Sequence, residues 1–183
     1  MVFEEMRFQL KDGREAVLRS PCEADAEEML HFITKASGET DFLLRSPEEW
    51  AGYTLEQEKA FINADYCSQD RWMIACVVDG RIAGSCQIAF RTGLKERHRA
   101  SVAIALLKEF WNLGIGTRMF EEMFRIARER DGVRQIELDF IEGNSRARGL
   151  YEKMGFRITG VKPDAVRLKD GTFANEYMMV KRL

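Results

Sequence analysis

Apolar and polar positions change period several times along the chain, and each change marks an element. Residues 7–10 and 16–19 flank Lys11-Asp12-Gly13-Arg14, which predicts two short strands joined by a tight turn, with Pro21 stopping the second. From Glu23 onward, Met29, Leu30, Phe32, Ile33 and Ala36 follow helical spacing, with Gly38 expected as the glycine that caps the helix C-terminus. Thr40 to Tyr53 mixes apolar and acidic residues around Pro47 without a period and reads as loop. Thr54, with Gln57 three residues on, predicts a capped helix running through Phe61 and Ile62.

The middle of the chain switches to strand patterning. Residues 73–78 and 82–90 bracket Asp79-Gly80, a dipeptide that favours a type I′ turn and hence an antiparallel hairpin. Residues 100–107 are apolar at nearly every position, the pattern of a strand buried on both faces. Helical spacing returns over 115–130, where Met119, Phe120, Met123, Phe124, Ile126 and Ala127 share one face, and Asp131-Gly132 ends it. A strand over 135–141, a helix over 144–154 and strands near 156–161 and 173–181 complete the chain. A strand–helix–strand passage across 100–141 demands a parallel pair with a right-handed crossover, while the rest pairs antiparallel. These elements predict one α+β domain with a mixed sheet.

Composition narrows the function classes. With 183 residues the chain suits one domain with its own core, and nothing in it is repetitive or low-complexity. The 28 Lys+Arg against 30 Asp+Glu give a net charge of -2, which supplies no bulk reason to expect nucleic acid or a membrane surface as partner. That balance does not speak to a local basic groove. No apolar run approaches the roughly 18 residues that span a bilayer. The start, Met1 to Arg7, is acidic where a secretory signal is basic. Cys22, Cys67, Cys76 and Cys86 form no CxxC pair, as expected of reduced thiols in a cytoplasmic protein. Two histidines, His31 and His98, and no HExxH give no reason to expect a metal.

Two segments carry candidate chemistry. In Trp111-Asn112-Leu113-Gly114-Ile115-Gly116-Thr117, two glycines open a helix whose first N–H groups lack intrahelical partners, a site suited to pyrophosphate. The same glycines would also serve a mere tight turn, and the segment is neither a Walker loop nor a three-glycine dinucleotide fingerprint. In the second segment, residues 144–156, Asn144 can cap a helix, Leu150 and Met154 pack inward, and Gly155 terminates it ahead of Phe156. That structural account leaves Tyr151 unused, a phenol protonated at neutral pH.

A glycine loop of the Q/R-x-x-G-x-G/A type, followed by Asn144-Ser145-Arg146-Ala147-Arg148-Gly149-Leu150-Tyr151-Glu152-Lys153-Met154-Gly155-Phe156, resembles the GNAT acetyltransferases. The two motifs stand in the family's order, 28 residues apart from Gly116 to Asn144. The resemblance covers residues 70–183 and, more loosely, the whole chain; the one visible departure is Trp111 at the Q/R position. It implies a single domain over 1–183 with helices on both faces of a mixed, mostly antiparallel sheet that has one splayed parallel strand pair. Residues 1–70 would form the acceptor side and 71–183 the acetyl-CoA-binding core. The cosubstrate implied is acetyl-CoA, with no metal. Leu106 and Leu107 would pair through backbone with the pantetheine arm and residues 111–117 would hold the pyrophosphate. Asn144 would meet the pantetheine, and Arg148 and Lys153 would reach the nucleotide phosphates. Tyr151 would be the general acid at the thioester sulfur.

Direct transfer to an amine also needs the neutral amine. Neutralising a lysine-like amine at pH 7 costs roughly 4 kcal/mol, and an α-amine only about 1 kcal/mol. Glu137 and Asp139 alternate with Ile136, Leu138 and Phe140, so both carboxylates share one side of their strand as candidate bases. For the acceptor, a primary amine of a small molecule or a protein, the resemblance points to residues 37–44, where Glu39 and Asp41 suit a cation. A homodimer is compatible with the resemblance. Two other readings stand beside the enzyme: a non-catalytic acetyl-CoA-binding regulatory module, which leaves Tyr151 without a task, and a nucleotide-binding α/β protein using the same loop.

Overall fold

The structure, a computed structural model, describes residues 2–183. An N-terminal hairpin, β1 (Met6–Gln9) and β2 (Glu15–Arg19), leads through a 3-10 turn to α1 (Ala26–Glu39), α2 (Pro47–Trp50) and α3 (Leu55–Cys67). The central strands β3 (Arg71–Val78), β4 (Arg81–Phe90) and β5 (Arg99–Leu106) follow, then α4 (Ile115–Glu129), β6 (Gln135–Ile141) and α5 (Ser145–Lys153). Strands β7 (Arg157–Arg167) and β8 (Phe173–Arg182) close the chain. All eight strands form one sheet in the order β1-β2-β3-β4-β5-β6-β8-β7, parallel only between β5 and β6.

Strand alternation shows which helices lie on which face. Ile104 and Leu106 point toward α4, because a Cβ added to Gly116 would lie 3.8 and 3.6 Å from them. Gln87 pairs with Ala103, one position out of phase with Ile104, and its side chain hydrogen-bonds Asp65 on α3. Residues one apart on a strand point to opposite faces, so α3 and α4 cover opposite faces of the sheet. Under α4 and α5 the core is aromatic: the Phe120 ring meets Phe124, Tyr151 and Phe156 at centroid distances of 5.8, 5.7 and 5.6 Å. Full burial of one such ring stabilises the fold by roughly 2–3 kcal/mol.

Four details differ from the sequence expectation, each for a local reason. Gly38 lies inside α1 rather than beyond it, and the helix stops at the extended Thr40. The stretch expected as plain loop contains the single turn α2, because Ser46 and Glu49 form a capping box around Pro47 at the first helical position. β7 runs past Pro163 to Arg167, which an edge strand tolerates through the register shift between Lys162 and Val166. Finally, β5 is not buried throughout: Ala103 is exposed and Ile104 to Leu106 are half-buried. The cause is that β6 leaves it.

Candidate active site

β5 and β6 keep parallel register for only three pairs, Arg99 with Gln135, Ala100 with Ile136 and Ser101 with Glu137, and then part. The N–H of Arg91 bonds the Arg99 carbonyl and the N–H of Leu107 bonds the Ala83 carbonyl, so odd-numbered residues of β5 direct their backbone groups at β4. Even-numbered residues therefore direct theirs into the gap, where Val102, Ile104 and Leu106 form an open strand edge. This corrects the expectation for Leu107, which is 2% exposed and has its carbonyl taken by the Phe110 N–H. Leu106 does face the gap, though its carbonyl already accepts from the Trp111 indole at 3.0 Å. Ile104, unassigned from the sequence, offers the cleaner edge. The alternation was legible; the phase needed the register.

At the wide end of the gap the chain turns through residues 111–117 into α4. Asn112 has φ +65° and Gly114, the residue capping α4, has φ +98°, both left-handed. Asparagine tolerates that region and glycine occupies it without cost. The turn leaves the N–H groups of the first α4 residues without helical acceptors, at the positive end of the helix dipole. A Cβ on Gly116 would lie 2.9 Å from Leu150 Cδ2, so glycine here also lets α5 approach α4.

The gap, the turn and α5 together enclose a cleft of about 780 Å³, lined by Val102 to Leu106, Trp111, Asn112, Gly114 to Thr117, Asp139, Phe140, Asn144, Lys153 and Tyr151. That volume suits a cofactor-sized ligand. Leu113 faces away, and its carbonyl accepts from the Lys11 N–H. Asn144 caps α5, accepting from the Ala147 N–H at 3.2 Å, which leaves its amide N–H₂ group for the cleft. Tyr151 is buried among Phe120, Phe140 and Phe156, and desolvation pushes its phenol up to about 12. Among the described residues, nothing hydrogen-bonds its hydroxyl.

The charged residues are placed less as expected. Arg148 is exposed, pairs with Glu152 at 2.8 Å and does not line the cleft; Lys153 does, 3.5 Å from the Thr117 hydroxyl. Arg146, which the sequence reading left unassigned, stacks over the Trp111 ring at 4.3 Å and donates to Asn112 Oδ1 at 2.7 Å. Lys11 lines the same end from the N-terminal hairpin turn. Its position depends on a contact 102 residues away in sequence, with Leu113. Nothing local in the sequence signals it.

Glu137 and Asp139 do share one side of β6, but only Asp139 lines the cleft. Glu137 is clamped by Arg99 at 2.5 and 2.7 Å, which holds its carboxyl below the usual range. The acidic pair of the acceptor loop is likewise turned elsewhere. Glu39 accepts from the Lys108 N–H at 2.7 Å, and Asp41 lies 3.8 Å from Lys169 Nζ. The loop instead presents Thr40, Phe42, Leu43 and Leu44 to the cleft, with the Phe42 ring against Gly143 on the far wall. Among the described residues, no cluster suits a metal ion and no helix is long and apolar enough to cross a membrane.

Comparison with known proteins agrees with this architecture. The chain is similar to an acetyltransferase of GNAT family from Streptococcus pneumoniae, with 28% identity and a TM-score of 0.84 over 92% of this chain and 99% of that one. A ribosomal-protein-alanine N-acetyltransferase from Brucella melitensis shares the fold at 22% identity and TM-score 0.77, over 91% and 99% of the two chains. So does yncA from Salmonella typhimurium, whose structure holds its cofactor acetyl-CoA, at 16% identity and TM-score 0.73, over 92% and 94%. The model of the acetyltransferase (GNAT) family matches residues 36–156, which contain the splayed strands, the glycine turn and the Tyr151 helix. The chain therefore belongs to that family and is an acyltransferase.

Proposed function

We propose that the protein transfers the acetyl group of acetyl-CoA directly to a primary amine of a small molecule or a protein. On this reading residues 71–183 bind the cosubstrate and residues 1–70 complete the acceptor side. Pyrophosphate sits on the N–H groups of the turn at 114–117, flanked by Lys153, Arg146 and Lys11. The pantetheine amides pair with the open edge of Ile104 and Leu106 and with Asn144. The observation that carries the proposal is Tyr151, a buried phenol facing the cleft with no protein partner for its hydroxyl. The ring is buried, but the hydroxyl is open to the cleft, where a thioester sulfur would accept its hydrogen bond.

The chemistry follows from the shifted phenol. The amine nitrogen attacks the thioester carbonyl, the C–S bond breaks, and the proton that nitrogen loses neutralises the departing sulfur. With its pKa near 12, Tyr151 stays a donor at any working pH. Full transfer to a thiolate of reference pKa near 8.5 is uphill by roughly 5 kcal/mol, so the phenol acts by hydrogen-bonding the developing thiolate. Asp139, the carboxylate that lines the cleft, is the base candidate that this geometry favours over Glu137. The test is thiol release from acetyl-CoA across a panel of polyamines, amino acids and peptide N-termini, with hydrolysis measured separately. Amine-dependent release supports the proposal; release that no amine accelerates overturns it.

A further inference from the structure

The net charge of -2 conceals a strong separation. Residues 1–70 carry 7 Lys+Arg against 16 Asp+Glu, whereas residues 71–183 carry 21 against 14. The fold gathers much of that excess at one end. β5 and β6 start there, β4 and β8 run antiparallel to them and end there, and β7 begins there. Arg91 follows β4, Lys95 and Arg97 occupy the turn into β5, and Arg134 precedes β6. Arg182 ends β8, Arg157 opens β7, and Arg128 lies in the last turn of α4. All seven are exposed, and none has an ion pair among the described residues.

We infer that this end of the sheet is a docking surface for the phosphodiester backbone of a nucleic-acid duplex, bound without regard to sequence. The cations form a row: the strand order β4-β5-β6-β8-β7 sets Arg91, the turn cations, Arg134, Arg182 and Arg157 across four strand spacings, about 19 Å. A row suits a linear polyanion. Its backbone is fixed, since the Arg134 N–H bonds the His98 carbonyl at 2.8 Å, the Leu183 N–H bonds the Arg134 carbonyl at 3.0 Å and the Arg91 N–H bonds the Arg99 carbonyl at 3.0 Å. Most acids nearby are already engaged: Glu96 and Glu137 by Arg99, Glu129 by Arg125, Asp70 by Arg130. Asp131 is the exposed acid there without an ion pair. Six of the seven cations are arginine, whose planar fork matches phosphate. The exposed Phe61 and Phe173 lie on α3 and at the start of β8, and the exposed Tyr66, in the last turn of α3, borders β3 rather than the β4–β7 row. Among the described residues, no exposed Phe, Tyr or Trp stands within the row to stack unpaired bases. The contact is therefore to backbone. The cleft opens at the other end of β5 and β6, so a docked duplex leaves it free.

The experiment is fluorescence anisotropy of labelled 20-base-pair RNA and DNA duplexes with the full chain, from 25 to 200 mM salt. Five engaged phosphates predict a slope near −4.5 in log affinity against log salt, roughly a 500-fold loss between 50 and 200 mM. Arg134→Glu/Arg157→Glu/Arg182→Glu should weaken binding at least 10-fold while the thermal shift given by acetyl-CoA stays unchanged. Should the triple variant lose its thermal transition, single Arg→Gln changes at these positions each lower the slope by about one. The RNA and DNA arms distinguish which duplex is the source. No binding at 25 mM salt, variants that bind as well as the parent, or competition by polyglutamate equal to the duplex per charge would each overturn the inference.

Discussion

The two walls of the cleft are built on different principles. On the proposed cosubstrate side, backbone N–H groups of the turn and of the open β5 edge are joined by side chains that local structure holds in place, the Asn144 cap and Tyr151 in its aromatic packing. On the proposed acceptor side the cleft-facing groups are the side chains of Thr40, Phe42, Leu43 and Leu44. There the acids expected to meet an amine are spent on Lys108 and Lys169, and apolar groups face the gap instead. A backbone site is specified by which residues can adopt a conformation. A side-chain site also needs the direction of each group, and that is set by distant partners.

The sharpest way to break this contrast is Tyr151→Phe, which removes one hydroxyl from the rigid wall. Turnover should fall about 10²–10³-fold, with calorimetric affinity for CoA little changed. With the phenol pushed up to about 12, the parent's rate should show no fall from tyrosine ionisation across pH 7–10. Equal turnover in the two proteins would make Tyr151 a packing residue.

Gly116→Val comes next. The added side chain meets Leu150, and the roughly 2.7 kcal/mol of stabilisation expected from acetyl-CoA at 100 times its dissociation constant should disappear from the thermal transition. The ligand-free protein should still unfold cooperatively. An undiminished shift would remove the turn from the binding site.

A comparable effect, of electrostatic origin, belongs to the half proposed to serve the acceptor. Glu58 on α3 is buried, and desolvation raises its carboxyl to about 7 from 4.5. The folded state thus holds that proton more tightly than the unfolded chain does. Its contribution is complete below pH 4.5 and is lost as pH rises through 7. Glu58→Gln should therefore gain on the order of 2 kcal/mol over the parent at pH 8 and nothing at pH 4, read by urea denaturation at both.

The smallest effect expected is that of Glu39→Gln with Asp41→Asn. The amide oxygen introduced at position 39 can still accept from the Lys108 N–H, and neither acid lines the cleft. The acceptor KM should change less than about twofold. A tenfold rise would return these acids to the acceptor site and erase the contrast.

Much of the fold was legible because its signals are local. Asp79 and Gly80 both take the positive φ of the expected turn, and Thr54 with Gln57 makes the expected capping box. The apolar face of α4 is the expected one, with Met119, Phe120 and Met123 fully buried. What escaped the sequence depends on pairing phase or on distant partners. Leu107 and Ile104 exchanged parts because a one-residue phase decides which strand edge is open. Glu137 left the cleft because Arg99, 38 positions away, reaches it. Arg146 sat in the quoted motif, yet its target, the Trp111 ring, belongs to another turn.

The parting of β5 and β6 after three residue pairs gives the sheet more unpaired borders than the two that any open sheet has. Unpaired borders invite other chains and, with them, aggregation. The outer border on β7 is guarded by Pro163 and by the charges of Arg157, Lys162 and Arg167. The inner border on β5 carries no such guards; Val102, Ile104 and Leu106 are apolar. Its protection is recession, since α4 and α5 overhang the gap. A second polypeptide strand needs room for side chains on both of its faces, whereas the pantetheine arm is a slender diamide with almost none. On the proposed reading, the same depth that would bar a misfolded neighbour would admit that thread, and selectivity for the cosubstrate and resistance to aggregation would come from one dimension of the molecule.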